Sequence, residues 1–137
     1  MRNLFCDFPT AKLLKELGFN SQCLKYYEEK GMMYPANCYN SEMADDDCTA
    51  PLWQQVKEWL WEKHNVCVRV GLSDEINPDH HYYFIHATNK SKTIPFYDFP
   101  NDRKSKPIYE SPITTEIEGI KKAVEYLYEE HHKTKIL

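Results

Sequence analysis

Cys48-Thr49-Ala50-Pro51-Leu52-Trp53-Gln54-Gln55-Val56-Lys57-Glu58-Trp59-Leu60-Trp61-Glu62-Lys63-His64 decides the fold, because it carries all three tryptophans of the chain and a legible helix start. At about 100° per residue, Leu52, Trp53, Val56, Trp59 and Leu60 share an arc of roughly 120°, the width of a helix face buried against a core. Lys57, Glu58 and Glu62 point elsewhere. Thr49 or Ala50 is the expected N-cap, and Pro51 suits the first turn, where its missing N–H would have had no intrahelical partner. The spacing therefore predicts a helix from near Ala50 to about His64. Trp61 lies roughly 180° from Leu52 on the same wheel and cannot share the face of the other two tryptophans. An element lying over it is the ordinary outcome for an indole; left exposed, it is a contact residue for a partner.

Upstream, Pro9 to Phe19 reads as a short helix capped by Thr10. Leu13, Leu14 and Leu17 form its stripe, Gly18 ends it in the left-handed conformation, and Phe19 folds back onto Leu14. Gln22 to Tyr27 and Met32 to Tyr34 read as two strands joined through Glu28-Glu29-Lys30-Gly31, whose glycine suits a positive φ. Residues 35–47 have no sustained period and are expected to be a loop. Asp45, Asp46 and Asp47 at its end lie just before the positive end of the tryptophan helix, where carboxylates are favoured.

Downstream, Val66, Val68, Val70 and Leu72 alternate with Cys67, Arg69, Gly71 and Ser73, a half-buried strand with His81 to Ala87 as its partner. The polar connection 74–80 is longer than a tight turn and of the kind that carries binding groups. Residues 88–107 form a Pro/Lys-rich excursion with room for one short edge strand near Ile94 to Phe99, since its prolines exclude a central strand. The last helix is expected from about Thr115 to His131. Thr115 and Glu118 form a capping box, Ile117, Ile120, Val124, Leu127 and Tyr128 form the core face, and residues 133–137 fray. The order helix, hairpin, helix, hairpin, helix makes a two-layer α+β sandwich with a mainly antiparallel sheet the simplest architecture, as a single domain over 1–137.

The 137 residues suffice for a core without disulfides or metal, and the net charge of −4 argues against duplex nucleic acid as a partner. The N-terminal residues lack the apolar run of a signal peptide and no stretch reaches membrane-spanning length, so a cytoplasmic protein is expected. Five cysteines, at 6, 23, 38, 48 and 67, are an odd set without tight spacing, and reduced thiols are the expectation.

Chemistry-bearing residues are sparse. His80, His81 and His86, with Asp79, form the densest group, but adjacent strand positions point to opposite faces and His81 and His86 differ in parity, so no metal site is expected. Cys48 ahead of the tryptophan helix could be a nucleophile activated by the helix N-terminus, against which the three aspartates act by like charge. No phosphate loop or nucleophile elbow is present among only four glycines, and no cofactor is expected. The basic excursion is the more distinctive feature. Lys90, Lys92, Arg103, Lys104 and Lys106 interleave with Phe96, Tyr97, Phe99 and Tyr109, a combination suited to an anionic ligand. The expected binding residues are Trp61, Phe96, Tyr97, Arg103, Lys104, Lys106 and the neighbouring His80.

Phe8-Pro9-Thr10, Leu17-Gly18-Phe19, Cys23-Leu24-Lys25-Tyr26-Tyr27 and above all Cys48 to Val56 with Trp59 and Glu62-Lys63-His64 resemble a family of small, functionally uncharacterised proteins carried by bacteriophages and mobile elements of gut bacteria. The likeness covers most of the chain up to residue 87 and the last helix, while 88–107 is longer than the family pattern. It brings no catalytic residues. It implies a phage-encoded accessory protein of the bacterial cytoplasm, or a minor component of the particle. The reading is thus a non-enzymatic binding protein engaging a host protein or a small anionic ligand. Its alternatives are a small enzyme using Cys48 or the histidines, and an assembly protein that forms an oligomer.

Overall fold

Strand pairing, rather than helix capping, claims the start of the tryptophan segment. In the computed structural model, which describes residues 4–72, 81–89, 92–97 and 112–136, Cys48–Thr49 is a short strand, β3. It pairs antiparallel with β1 (Cys23–Tyr27), placing Cys48 opposite Tyr27 and Thr49 opposite Tyr26. The Ala50 N–H donates to the Lys25 carbonyl at 2.8 Å, and the Pro51 carbonyl accepts from Cys6 N–H at 2.7 Å. With these groups committed to tertiary bonds, helix α2 begins only at Trp53 and runs to His64. Its cap is therefore neither Thr49 nor Ala50. The Leu52 N–H donates to the Gln55 Oε1 at 2.9 Å, and the Gln55 Nε2 donates to the Gln22 carbonyl. At the other end Asn65 adopts a left-handed φ of 55° and donates its N–H to the Trp61 carbonyl, the closure a helix C-terminus needs.

The chain is mixed α+β, and it divides into two compact units, one of Met1–Val56 with Val124–Leu137 and the other of Lys57–Ala123. In the first unit, helix α1 spans Phe8–Glu16 and its cap is Asp7, whose carboxylate accepts from Thr10 N–H at 3.0 Å. The expected cap, Thr10, lies inside the first turn and is buried. Gly18 (φ 93°) ends the helix as expected, with its N–H on the Lys15 carbonyl and the buried Phe19 donating to the Leu14 carbonyl. Gly31 (φ 86°) closes the next turn, and a Cβ there would also press on the Phe8 ring at 3.1 Å, so a side chain is strained by the backbone and crowded by the ring.

Strand β2 runs over Met33–Cys38, well past the expected end at Tyr34, and the sheet order is β2-β1-β3. Pro35 is tolerated because β2 is an edge. The Lys25 carbonyl faces β3, so the pair Lys25–Pro35 makes no ladder bonds between β1 and β2, and the proline nitrogen faces the open side. Between that pair and Cys23–Cys38, β2 carries one residue more than β1, a bulge. The expected loop continues as a 3-10 turn, Asn40–Glu42, whose Asn40 is buried. The Asn40 Nδ2 donates to the Phe19 carbonyl and its Oδ1 accepts from Thr49 N–H, each at 2.8 Å. One amide thus joins the exit of α1 to β3. Lys15 performs the same service outside, its Nζ donating at 2.6 Å to the carbonyls of Ala44 and Asp47. Tyr27, Ala11, Cys48 and Ala50 form a cluster against which Phe5, Phe8 and Met33 pack.

In the second unit the valine alternation gives strand β4, Val66–Leu72, with Val66 and Val68 buried and Arg69 exposed. It pairs antiparallel with β5 (His81–Asn89), which pairs with β6 (Lys92–Tyr97). The second sheet has the order β4-β5-β6, so the proline of β6, Pro95, also sits on an edge strand. Helix α3 spans Pro112–Ile136, of which the residues up to Ala123 belong to this unit. It starts earlier than the expected Thr115 because Pro112 occupies its first position, for which proline is preorganised. Thr115 is fully buried inside the helix rather than capping it, and Glu118 pairs with Lys121 at 3.5 Å instead of reaching back. The helix continues through residues 133–136 of the tail expected to fray. Within this unit Lys57 and Glu116 pair at 3.2 Å, a half-exposed bridge worth little.

Candidate functional site

Helix α2 presents the aromatic surface that the wheel separates from the core. Trp53 and Trp59 are buried, with Val56 and Leu60 fully so, whereas Trp61 is 55% exposed. Among the described residues no element covers it. Trp59 stacks edge-on against His64 at 4.6 Å, and burial pushes the pKa of His64 down, which favours the neutral imidazole at this helix end. Trp61 thus projects from a helix whose opposite side is fixed by packing.

The first sheet carries a second aromatic surface that the sequence reading missed. Tyr26 and Tyr34 are cross-strand partners with ring centroids 5.7 Å apart, and Leu24 lies two positions along the same face of β1. Leu24 is 59% and Tyr34 39% exposed. A signal was present: in Cys23-Leu24-Lys25-Tyr26-Tyr27 apolar residues occupy both parities, so a strand whose Cys23 and Tyr27 face the core must show Leu24 and Tyr26 on the other side.

Of the other expected binding residues, Phe96 and Tyr97 lie in β6, where Tyr97 pairs with Ile85. Their side chains, and all of His80, Arg103, Lys104 and Lys106, lie outside the described residues. The same holds for the side chains of His81 and His86, whose backbones pair with Leu72 and Cys67 in β4.

Cys48 does not have the surroundings of a nucleophile. It belongs to β3 and not to the N-terminus of α2, it is 1% exposed, and its pKa is pushed up to about 11. Burial is the main cause, Lys15 and Lys12 pull the value partly back, and Asp47 adds to the rise. Such a thiol is protonated and shielded at neutral pH. Tyr27 is similarly pushed up to about 12, chiefly by burial, and its hydroxyl donates to the Cys6 carbonyl at 2.6 Å. Burial likewise raises Cys23 and Cys38, with a neighbouring Thr49 hydroxyl pulling Cys23 partly back and Glu42 raising Cys38 further. That hydroxyl makes no hydrogen bond of ordinary geometry, so its influence on the sulfur is weak. Among the described residues no three metal-ligating side chains converge, and no helix is long and apolar enough to cross a membrane. Among the described residues, Trp61, Leu24 and Tyr34 offer exposed apolar and aromatic contact area. Comparison with protein-family models, curated proteins and solved structures returns no match to this chain.

Proposed function

We propose that the chain is a non-enzymatic binding protein, an accessory factor encoded by a phage and acting in the bacterial cytoplasm, that engages a host protein through the exposed aromatic surface of α2. The exposure of Trp61 carries this reading. An indole held on a packed helix loses little conformational freedom on docking, which is why tryptophan is enriched at interface hot spots. The phage setting rests on the sequence resemblance. A two-layer sandwich on one domain is the framework we propose for it, with helices covering one face of mainly antiparallel sheet.

Photo-crosslinking in host cytoplasm, with the probe at position 61, tests the proposal. A discrete host protein should be captured, and Trp61→Ala should lose that protein in affinity purification while stability changes by less than about 0.5 kcal/mol, as for surface positions generally. Equal recovery by wild type and Trp61→Ala removes α2 from the interface. Alanine at Tyr97, Lys104 and Lys106 tests the basic segment separately. Native mass spectrometry of protein from its host cell reports a retained anionic ligand or an oligomer, and either would replace the host-protein reading.

A further inference from the structure

The bulge in β2 has a chemical result. In an uninterrupted strand Cys38 would share the parity of Tyr34 and lie on the exposed face. The extra residue reverses the parity, so Cys38 turns inward, 3% exposed, directly opposite the fully buried Cys23. Its Sγ leans over β1, within 3.5 Å of the Lys25 carbonyl and 3.9 Å of the Cys23 carbonyl. Residues opposite one another in an antiparallel ladder have Cα atoms about 4.5–5.5 Å apart, inside the roughly 4.4–6.8 Å that a disulfide spans. Neither sulfur is in a disulfide in the structure.

We propose that Cys23 and Cys38 are a redox-modifiable pair, able to form a cross-strand disulfide that locks β1 to β2 when a small-molecule disulfide is the oxidant. Cys38 reacts first. It ends an edge strand beside the exposed Tyr39, whereas Cys23 lies in the central strand, so local opening of β2 uncovers Cys38. Its thiolate attacks one sulfur of the oxidant, whose S–S bond breaks and releases a thiolate that takes up the proton Cys38 lost. When the strand closes, the Cys23 thiolate attacks the Cys38 sulfur and expels the second small thiol, which takes up the proton of Cys23. Two protein thiols are oxidised and one small disulfide is reduced to two thiols. Burial of both thiols makes the reaction slow and limited by strand opening.

The full chain is incubated with oxidised glutathione well below its unfolding temperature, then alkylated and weighed intact. The expected product carries three alkyl groups where the reduced protein carries five, and is about 2 Da lighter than the same chain with three alkyl groups and two free thiols, the two hydrogens of one disulfide. Cleavage at Lys25 and Lys30 separates the two cysteines, and cleavage at Asp45 separates Cys38 from Cys48. A peptide joining Cys23 to Cys38 should result, and the unfolding temperature should rise by roughly 10 °C and return on reduction, from the loop closed by the bond. Cys38→Ser should abolish both changes. Persistence of five alkylatable thiols, a stable glutathione adduct, or a bond to another cysteine in the wild-type protein overturns the proposal, whether or not the variant folds.

Discussion

Replacing Asn40 by alanine should remove more stability than any other single change in the loop 39–47. The side chain is buried and makes two bonds of 2.8 Å, donating to the Phe19 carbonyl and accepting from Thr49 N–H. Alanine leaves each backbone group in a site closed to water, at a cost of about 1–3 kcal/mol apiece. Two groups near the middle of that range give roughly 3–4 kcal/mol, a large share of the ~5–15 kcal/mol that holds a domain folded. With a urea dependence near 2 kcal/mol per molar, the unfolding midpoint should fall by about 1.5–2 M. Hydrogen exchange localises the effect: the Thr49 amide should lose protection while the β4 amides open only with global unfolding. Asn40→Asp keeps the acceptor but sets a carboxylate against the Phe19 carbonyl. Its deficit relative to wild type should shrink as the pH falls and that carboxyl regains a proton. A loss below about 1 kcal/mol, with Thr49 still protected, would show that the bonds are replaced by water and refute the reasoning.

Thr49→Val should stabilise the protein by about 1 kcal/mol, because the buried hydroxyl makes no ordinary hydrogen bond and a methyl of similar shape removes its desolvation cost; a lowered denaturation midpoint would show that the contact with Cys23 is worth keeping. Stability should decline in alkali. Cys48 and Tyr27 hold their protons more tightly when folded, at about 11 and about 12 against ordinary values of 9.0 and 10.0, so their contribution is intact below about pH 9 and is lost as the pH rises to 12. Denaturation followed between pH 8 and 11 should show unfolding releasing up to about two protons, and a flat profile contradicts the burial of these groups. Lys15→Ala should cost about 1 kcal/mol, since its partners are backbone carbonyls near solvent that water can rehydrate, and it should speed proteolysis within 44–47.

Much of this fold is legible wherever a local rule has no tertiary competitor. The valine alternation of β4, the positive φ of Gly18 and Gly31 and the end of α2 at His64 follow from residues adjacent in the chain. The failures occur where distant segments compete for the same backbone groups. Thr49 and Ala50 have the residue types of a helix start, yet their N–H groups go to Asn40 and Lys25. Pro35 reads as the end of a strand, and only its place on an edge explains why β2 continues. Asp7 and Thr10 are both competent caps, and Pro112 was available as a helix start beside the capping-box pattern of Thr115. Asn40 carries no signal that separates a buried clip from a loop asparagine. The wheel isolates Trp61 from the core but leaves its exposure open, and the pleat inverted by a bulge hides the meeting of Cys23 and Cys38.

Pro35 also restricts how another polypeptide can meet the first sheet. The open side of β2 lacks one donor in the middle of its row, so an incoming strand finds a break where a continuous ladder would have to form. Main-chain recognition, which accepts many sequences and favours runaway self-association, is thereby discouraged at this edge. Selectivity at this sheet must then come from the shape and chemistry of side chains, with Leu24, Tyr26 and Tyr34 deciding what fits.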